Sequence, residues 1–292
     1  DLVNVLVFTD TDLDGSGSAL FIKWLYGAKL NEFVVIETTE SMIVNEFNNR
    51  QHSLDHYDKI FVLDLCLNAD QATSIDRSNV VVIDHHLSHA QIKGRYVKSK
   101  AIVESAPSCI GLLRDKFKSH IKLTEAQDKL IDYIDDYDSY GLKYKDSFKL
   151  NAIHTTYNRP KVDKFVEAYG DGFKPYTVQE KNAIKLFIRK FRDQFNDGVH
   201  IGMIKNYKAV AIFADYAISE VANYMVTKHD AQIGIVVNIK TNTVSFRRCM
   251  HCDIDLSILA RTFCNGGGSH KLAGGKLTME FANLIKNFKH VQ

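Results

Sequence analysis

Val5–Leu20 reads VLVFTDTDLDGSGSAL, an apolar run that breaks into three alternating aspartates, Asp10, Asp12 and Asp14, and then into Gly15 and a string of small residues. The apolar part, Val3–Phe8, reads as a buried strand, and Gly17–Leu30 carries the apolar spacing of a helix. Carboxylates this close repel one another unless a cation or water screens them. In a parallel α/β sheet the carboxyl ends of the strands line the edge where ligands bind. The stretch therefore predicts both a fold class and the place in it where chemistry is found.

The same pattern recurs along the chain. Lys59–Asp64 (KIFVLD) and Asn79–Asp84 (NVVVID) are short β-branched runs that also end on aspartate, and Phe33–Thr38 (FVVIET) is a further strand candidate. Helical spacing lies near Ser41–Arg50. Buried runs alternating with helices predict a parallel sheet covered on both faces. Helical pattern continues from Ala106 to about Tyr140, where Pro107 suits a helix start and Thr124 is a candidate N-cap. One long amphipathic helix is expected from Val178 to about Asn196. Strands return at Lys208–Ala214, Ala231–Ile239 and Asn242–Arg247. The expected organisation is α/β in two domains: residues 1–177, a connector helix at 178–198, and a smaller α/β domain at 199–292.

Asp10, Asp64 and Asp84 are far apart in sequence, yet a parallel sheet brings them to one edge. A half-buried carboxylate cluster needs a counter-charge. Two histidines, His85 and His86, directly follow Asp84, and His89 comes three residues later. Mixed Asp and His donors suit Mn²⁺, Zn²⁺ or Fe²⁺ better than the oxygen-seeking Mg²⁺ or Ca²⁺. A later acidic run, YIDDYDSY (Tyr133–Tyr140), reads by itself as a solvated helix end. An EF-hand reading of the opening stretch fails, because Phe21 stands where the bidentate Glu belongs and a strand precedes the loop. A strand ending in DxD also resembles the nucleophile loop of haloacid-dehalogenase-type phosphatases, but that family has no use for Asp-His-His at a strand end.

With DTDLDG, Asp64 and Asp84-His85-His86 assembled, the chain resembles the DHH phosphoesterase superfamily, on its RecJ and nanoRNase side. A separate resemblance lies near the C-terminus. SFRR (Ser245–Arg248) and NGGGSHKLAGG (Asn265–Gly275) are similar to the DHH-associated domain, with its arginine at a strand end and its glycine-rich loop. The resemblance implies two divalent ions, Mn²⁺ first and Mg²⁺ or another divalent ion as substitutes, held by Asp10, Asp12, Asp64, His85 and Asp136. Asp135 and Asp138 are the alternatives to Asp136. The related pyrophosphatases carry a His where this chain has Leu6, so Asp14 is either a ligand standing in for it or the residue that tightens the turn before Gly15. Asp64, His85 and His86 are implied in catalysis, with His86 either on the phosphate or behind the metal ligands and Asp84 orienting a histidine. Arg247, Arg248, Gly266, Gly267, Gly268 and His270 are implied in substrate binding across an inter-domain cleft. His89 is read either as a substrate contact or as a surface or capping residue.

The activity so implied is two-metal hydrolysis of a phosphodiester. The expected substrates are short oligonucleotides or single-stranded nucleic acid cut from an end, or a linear dinucleotide. The alternatives are a cyclic-dinucleotide phosphodiesterase, a dehalogenase-like phosphomonoesterase, or a catalytically silent nucleotide-binding module. Bulk composition fits a globular enzyme: 292 residues, 45% hydrophobic, with a formal net charge of +2 that names no partner. From Val199 onward 11 Lys/Arg face 6 Asp/Glu, a basic excess that suits a phosphate-binding surface. No apolar run approaches the roughly 18 residues of a spanning helix, and DLVNVLVF reads as a strand where a secretory leader would be charged and then apolar. Five cysteines, an odd number, predict reduced thiols and a cytoplasmic protein, with Cys249, Cys252 and Cys264 packed and unpaired.

Overall fold

Val3–Thr9 (β1) sends successive side chains to opposite faces, and both faces are buried. Val5 and Val7 join one core with Phe61, Leu63, Val81 and Ile83. Leu6 and Phe8 join a second core with Ile60, Val62, Val80 and Val82. This two-sided burial is why the strands read as unbroken apolar runs. The computed structural model describes residues 2–249, 252–268 and 272–292.

After β1 come α1 (Leu13–Tyr26), β2 (Leu30–Glu37), α2 (Ile43–Asn49), β3 (Lys59–Leu63), α3 (Ala69–Ser74), β4 (Val80–Asp84), α4 (Leu87–Ala90) and β5 (Lys100–Val103). The helices α5 (Cys109–Phe117), α6 (Glu125–Asp138), α7 (Lys145–His154), α8 (Lys161–Ala168) and α9 (Val178–Asp193) follow. The sheet order is β2-β1-β3-β4-β5 and every pairing is parallel. The residues that follow β1 and β3, Asp10 and Asp64, therefore share an edge with the last residue of β4, Asp84.

Three local features depart from the sequence reading. Helix α1 begins at Leu13, earlier than expected, because Asp12 caps it by accepting from Gly15 N. Only glycine fits at position 15, since a Cβ there would come 2.4 Å from the Asp10 carbonyl oxygen. The expected run from Ala106 to Tyr140 is two helices. Ser108 caps α5, and Thr124 caps α6 in a reciprocal box with Gln127. Strand β5 went unpredicted because KAIV is short and begins on an exposed lysine.

The chain divides into two compact units, one reaching Ile184 and the other starting at Lys185, so the boundary falls inside α9. The second unit adds β6 (Val199–Ile204), β7 (Tyr207–Phe213), α10 (Ile218–Lys228), β8 (Ile233–Asn238), β9 (Thr243–Arg248), α11 (Leu256–Cys264), β10 (Gly267–Gly268), β11 (Leu272–Lys276), α12 (Met279–Ile285) and β12 (Lys289–Val291). Its sheet runs β10-β11-β9-β8-β7-β6-β12, parallel only between β7 and β8. Cys249 and Cys252, expected as separate thiols, are joined in a disulfide. Cys252 N donates to Cys249 O at 3.3 Å, and the two Cα atoms lie 5.5 Å apart, within the reach of a disulfide. Cys66, Cys109 and Cys264 are free thiols, the last two buried. Among the described residues no helix is long and apolar enough to cross a membrane.

Candidate metal centre

His85 is the hub of the carboxyl edge. Its Nδ1 lies 3.1 Å from the Ala106 carbonyl oxygen. A carbonyl only accepts, so Nδ1 carries the ring proton. Burial, with His86 close by, holds the His85 pKa below the usual histidine value. The neutral ring therefore turns the lone pair of Nε2 toward three carboxylate oxygens: Asp64 Oδ1 at 3.3 Å, Asp138 Oδ2 at 3.5 Å and Asp14 Oδ2 at 3.8 Å. Four nitrogen and oxygen acceptors converge here. That arrangement asks for a proton or a cation, and a histidine whose outer nitrogen is tied to a carbonyl is how metal-binding imidazoles are usually oriented. The nitrogen and oxygen donor set fits a divalent transition ion.

The acids bear the marks of that crowding. Burial and the neighbouring charges of Asp14 and Asp12 push the Asp64 carboxyl well above the usual range. Burial raises Asp138 likewise, with Asp14 and Asp12 adding to it. Asp14 rises to about 6, chiefly by burial, even though the α5 amides stabilise its charge. Asp10 rises to about 7, from burial and then from Asp12. Asp12 is raised by burial of its carboxyl and by Asp14, and a hydrogen bond with Asp64 partly offsets this.

Backbone geometry sets these positions. Asp64 has φ 55°, the left-handed region, directly after β3. Asp14 receives Cys109 N at 2.6 Å on Oδ2 and Ile110 N at 2.9 Å on Oδ1, which ties α1 to the positive N-terminal end of α5. The turn before Gly15 is held by Asp12 instead, which accepts Gly15 N at 2.8 Å. Asp14 is thus no turn residue: it faces His85 and clamps α5.

Asp136, expected as the fourth acidic ligand, faces away from this cluster. Its carboxylate accepts Lys143 N and Tyr144 N, both at 3.0 Å, and Ser147 Oγ at 2.6 Å, which caps the turn into α7. Asp138 is the residue of α6 that reaches His85, and Asp135 instead receives Ser108 Oγ. The reading of His89 as a substrate contact also needs correction. The ring is fully buried, with Nδ1 2.7 Å from Asp84 Oδ2 and Nε2 2.7 Å from Tyr96 Oη. His86 stays at the surface, its side chain 41% exposed, with Nδ1 2.8 Å from Asp84 Oδ1. Burial alone would raise the Asp84 carboxyl, but its bonds to His86 and His89 outweigh this and hold it far below the usual range. The same contact raises His86 against the opposing effect of burial.

Glu40 was missed. Its carboxylate is raised by burial and lies close enough to His86, Asp10 and Asp84 to feel their charges. It accepts Cys66 N at 3.2 Å and so braces the segment that follows Asp64. The available signal was an acid three residues past the end of β2, beyond the same edge as the acids that directly follow β1 and β3.

In the second unit, Arg247 Nη2 donates to Ser219 Oγ at 2.6 Å and Nη1 to the Phe246 carbonyl at 2.9 Å. Arg248, expected to meet substrate, instead grips the carbonyls of Cys252 and Ile254 and so holds the loop before α11. Neighbouring residues of a strand point to opposite faces, which separates the two arginines. Gly266 directly precedes β10, whose Gly267 and Gly268 pair antiparallel with Gly274 and Ala273 of β11. Gly268, at φ 135°, takes a backbone that other residues avoid, and a Cβ there would come 2.4 Å from the Leu272 carbonyl oxygen. His270 lies outside the described residues.

No family profile and no curated protein matches the chain. Solved structures do match. A pGpG-specific phosphodiesterase from Vibrio cholerae, PggH, is 12% identical with a TM-score of 0.60, over 97% of this chain and 96% of that one. The DHH domain of a member of a ribosomal-protein family is 12% identical with a TM-score of 0.59, over 98% and 87%. The exonuclease RecJ bound to manganese is 10% identical with a TM-score of 0.56, over 97% and 88%. The chain has the DHH fold. The DHH fold places Asp10, Asp64 and Asp84 at one sheet edge, as the sequence reading expected, and it replaces the dehalogenase reading of the first strand.

Proposed function

We propose that this chain is a metal-dependent phosphodiesterase that cuts short oligonucleotides or single-stranded nucleic acid from an end. The observation that carries the reading is the His85 lone pair facing Asp14, Asp64 and Asp138 at the carboxyl edge of a parallel sheet. Manganese is the proposed ion. Asp10 and Asp12, beside the cluster, complete the proposed ligand set, with Asp138 in the place first given to Asp136. A divalent ion held there supplies Lewis acidity and lowers the pKa of water.

The remaining roles belong to the chain itself. His86, outward-facing and with a raised pKa, donates to a non-bridging phosphoryl oxygen and stabilises charge that grows in the transition state. Asp84 keeps that ring oriented. Arg247 and the glycines Gly266–Gly268 are proposed to bind a phosphate or base of the substrate, the kind of interaction that positions a substrate for attack. The likeness to a pGpG-specific phosphodiesterase favours the shortest substrate, a linear dinucleotide, as a second form of the same reading.

A Mn²⁺ assay on 5′-labelled RNA and DNA of about two to 24 nucleotides, with cyclic dinucleotides and a phosphomonoester alongside, tests this. The expected result is hydrolysis of linear substrates, strongest at two to five nucleotides, and loss of activity with chelator. Hydrolysis of the phosphomonoester alone, or no Mn²⁺-dependent cleavage of any diester, would sink the proposal.

A further inference from the structure

Three hydrogen bonds run in line behind the acidic cluster. Tyr96 Oη lies 2.7 Å from His89 Nε2, His89 Nδ1 lies 2.7 Å from Asp84 Oδ2, and Asp84 Oδ1 lies 2.8 Å from His86 Nδ1. Asp84 and His89 are completely buried and Tyr96 nearly so, whereas His86 reaches solvent. The line therefore has one open end. An ionised carboxylate only accepts, so Nδ1 of both histidines carries a proton. In the neutral His89 ring Nε2 is then the acceptor of the Tyr96 hydroxyl, so the Asp84 carboxylate sets the tautomer and the tyrosine pairs the nitrogen that is left. His86 is held by Nδ1, so its Nε2 points away from Asp84.

We infer that His89 and Tyr96 are a positioning pair for His86, acting through Asp84. A carboxylate with a donor on each oxygen cannot swing about its last torsion without losing one of them. Removing His89 leaves Asp84 Oδ2 buried without a donor, which is unfavourable. The carboxylate is then free to turn, and the His86 ring turns with it. His85 is oriented independently by the Ala106 carbonyl. The pair should thus govern His86 without disturbing the proposed metal ligands. A histidine that merely filled the core would not need both ring nitrogens paired in line with a surface residue. The consequence for catalysis rests on the phosphodiesterase reading, whereas the hydrogen-bond order does not.

The test combines ¹⁵N-histidine NMR of the metal-free protein with kinetics on a dinucleotide. In the wild type, His86 and His89 should both show protonated Nδ1, and His89 an unprotonated Nε2. His89→Ala should give His86 a mixed-tautomer pattern and lower kcat by about 10- to 100-fold, the usual effect of losing an outer partner, with KM within about twofold. His89→Asn, whose amide restores a donor to Asp84, should recover the His86 pattern and most of kcat. Tyr96→Phe removes a single hydroxyl, keeps the fold if His89→Ala does not, and should shift the His89 Nε2 resonance and lower kcat about threefold. Mn²⁺ affinity should hold in all three. The inference is overturned if His89→Ala lowers thermal stability while His86 and kcat stay as in the wild type, or if His89→Asn is as impaired as His89→Ala. It is equally overturned if wild-type His89 is protonated on Nε2. Should no diester be cleaved at all, the phosphodiesterase reading falls and the NMR result still decides the positioning pair.

Discussion

Asp64 concentrates two unfavourable features in one residue. Its backbone is left-handed, which disfavours most side chains, and its carboxylate is buried beside Asp12 and Asp14. Asparagine can keep the backbone and remove the charge, because its side chain tolerates positive φ. Asp64→Asn should therefore raise the melting temperature of the metal-free protein at pH 8 and lower Mn²⁺-dependent hydrolysis by about a hundredfold or more. Asp64→Ala should lose the same activity yet be less stable than Asp64→Asn, by about 1 kcal/mol for the left-handed backbone. Retention of most of the activity by Asp64→Asn would remove Asp64 from the site. Opposite signs on stability and activity mark a residue kept for chemistry at the expense of the fold.

Helix α6 shows how one element assigns three acids to three tasks. At about 100° per residue, Asp135 and Asp138 sit within about 60° of each other and Asp136 lies on the far side. Asp135 meets Ser108, Asp138 meets His85, and Asp136 receives the turn into α7. Asp138→Asn should leave thermal stability intact and weaken Mn²⁺ binding at least about tenfold, read by calorimetric titration. Asp136→Ala strands two amides and a hydroxyl. It should cost about 1–3 kcal/mol, with kcat per folded molecule little changed. The reverse pattern would restore Asp136 as the ligand. The sequence carried the strand ends because apolar runs that finish on an acid are a local signal. It could not choose among the α6 acids, since that choice depends on which neighbours each meets once α5, α6 and α7 are packed. His89 escaped for a related reason: proximity to Asp84 and His86 in sequence suggested the site, and the turn of α4 buries the ring behind it. Cys249 and Cys252 stand close enough in sequence to pair, yet spacing alone does not show that their Cα atoms come within disulfide reach.

Across the whole molecule, the buried acids make the metal-free fold sensitive to pH in a direction that can be worked out. Asp10 is raised to about 7, and Asp64 and Asp138 well above the ordinary carboxylate value of 3.8. Unfolded, these groups are fully ionised above about pH 6. Between about pH 6.5 and 8 the folded metal-free chain thus holds more protons than the unfolded one, and stability falls as pH rises. His86, also raised, contributes in the same direction, because the stabilisation from its charged form is lost as pH climbs through its folded pKa. His85 and His154 are lowered and oppose this trend, mainly below the unfolded histidine value of 6.5 and fading within about one pH unit above it. The metal-free melting temperature should therefore drop from pH 6.5 to pH 8. A bound divalent ion replaces those protons, so saturating Mn²⁺ should stabilise more at pH 8 than at pH 6.5, with proton release visible as buffer-dependent binding heat. A metal-free melting temperature that climbs across this window, or equal stabilisation by Mn²⁺ at both ends of it, would mean that these carboxylates do not hold the cation.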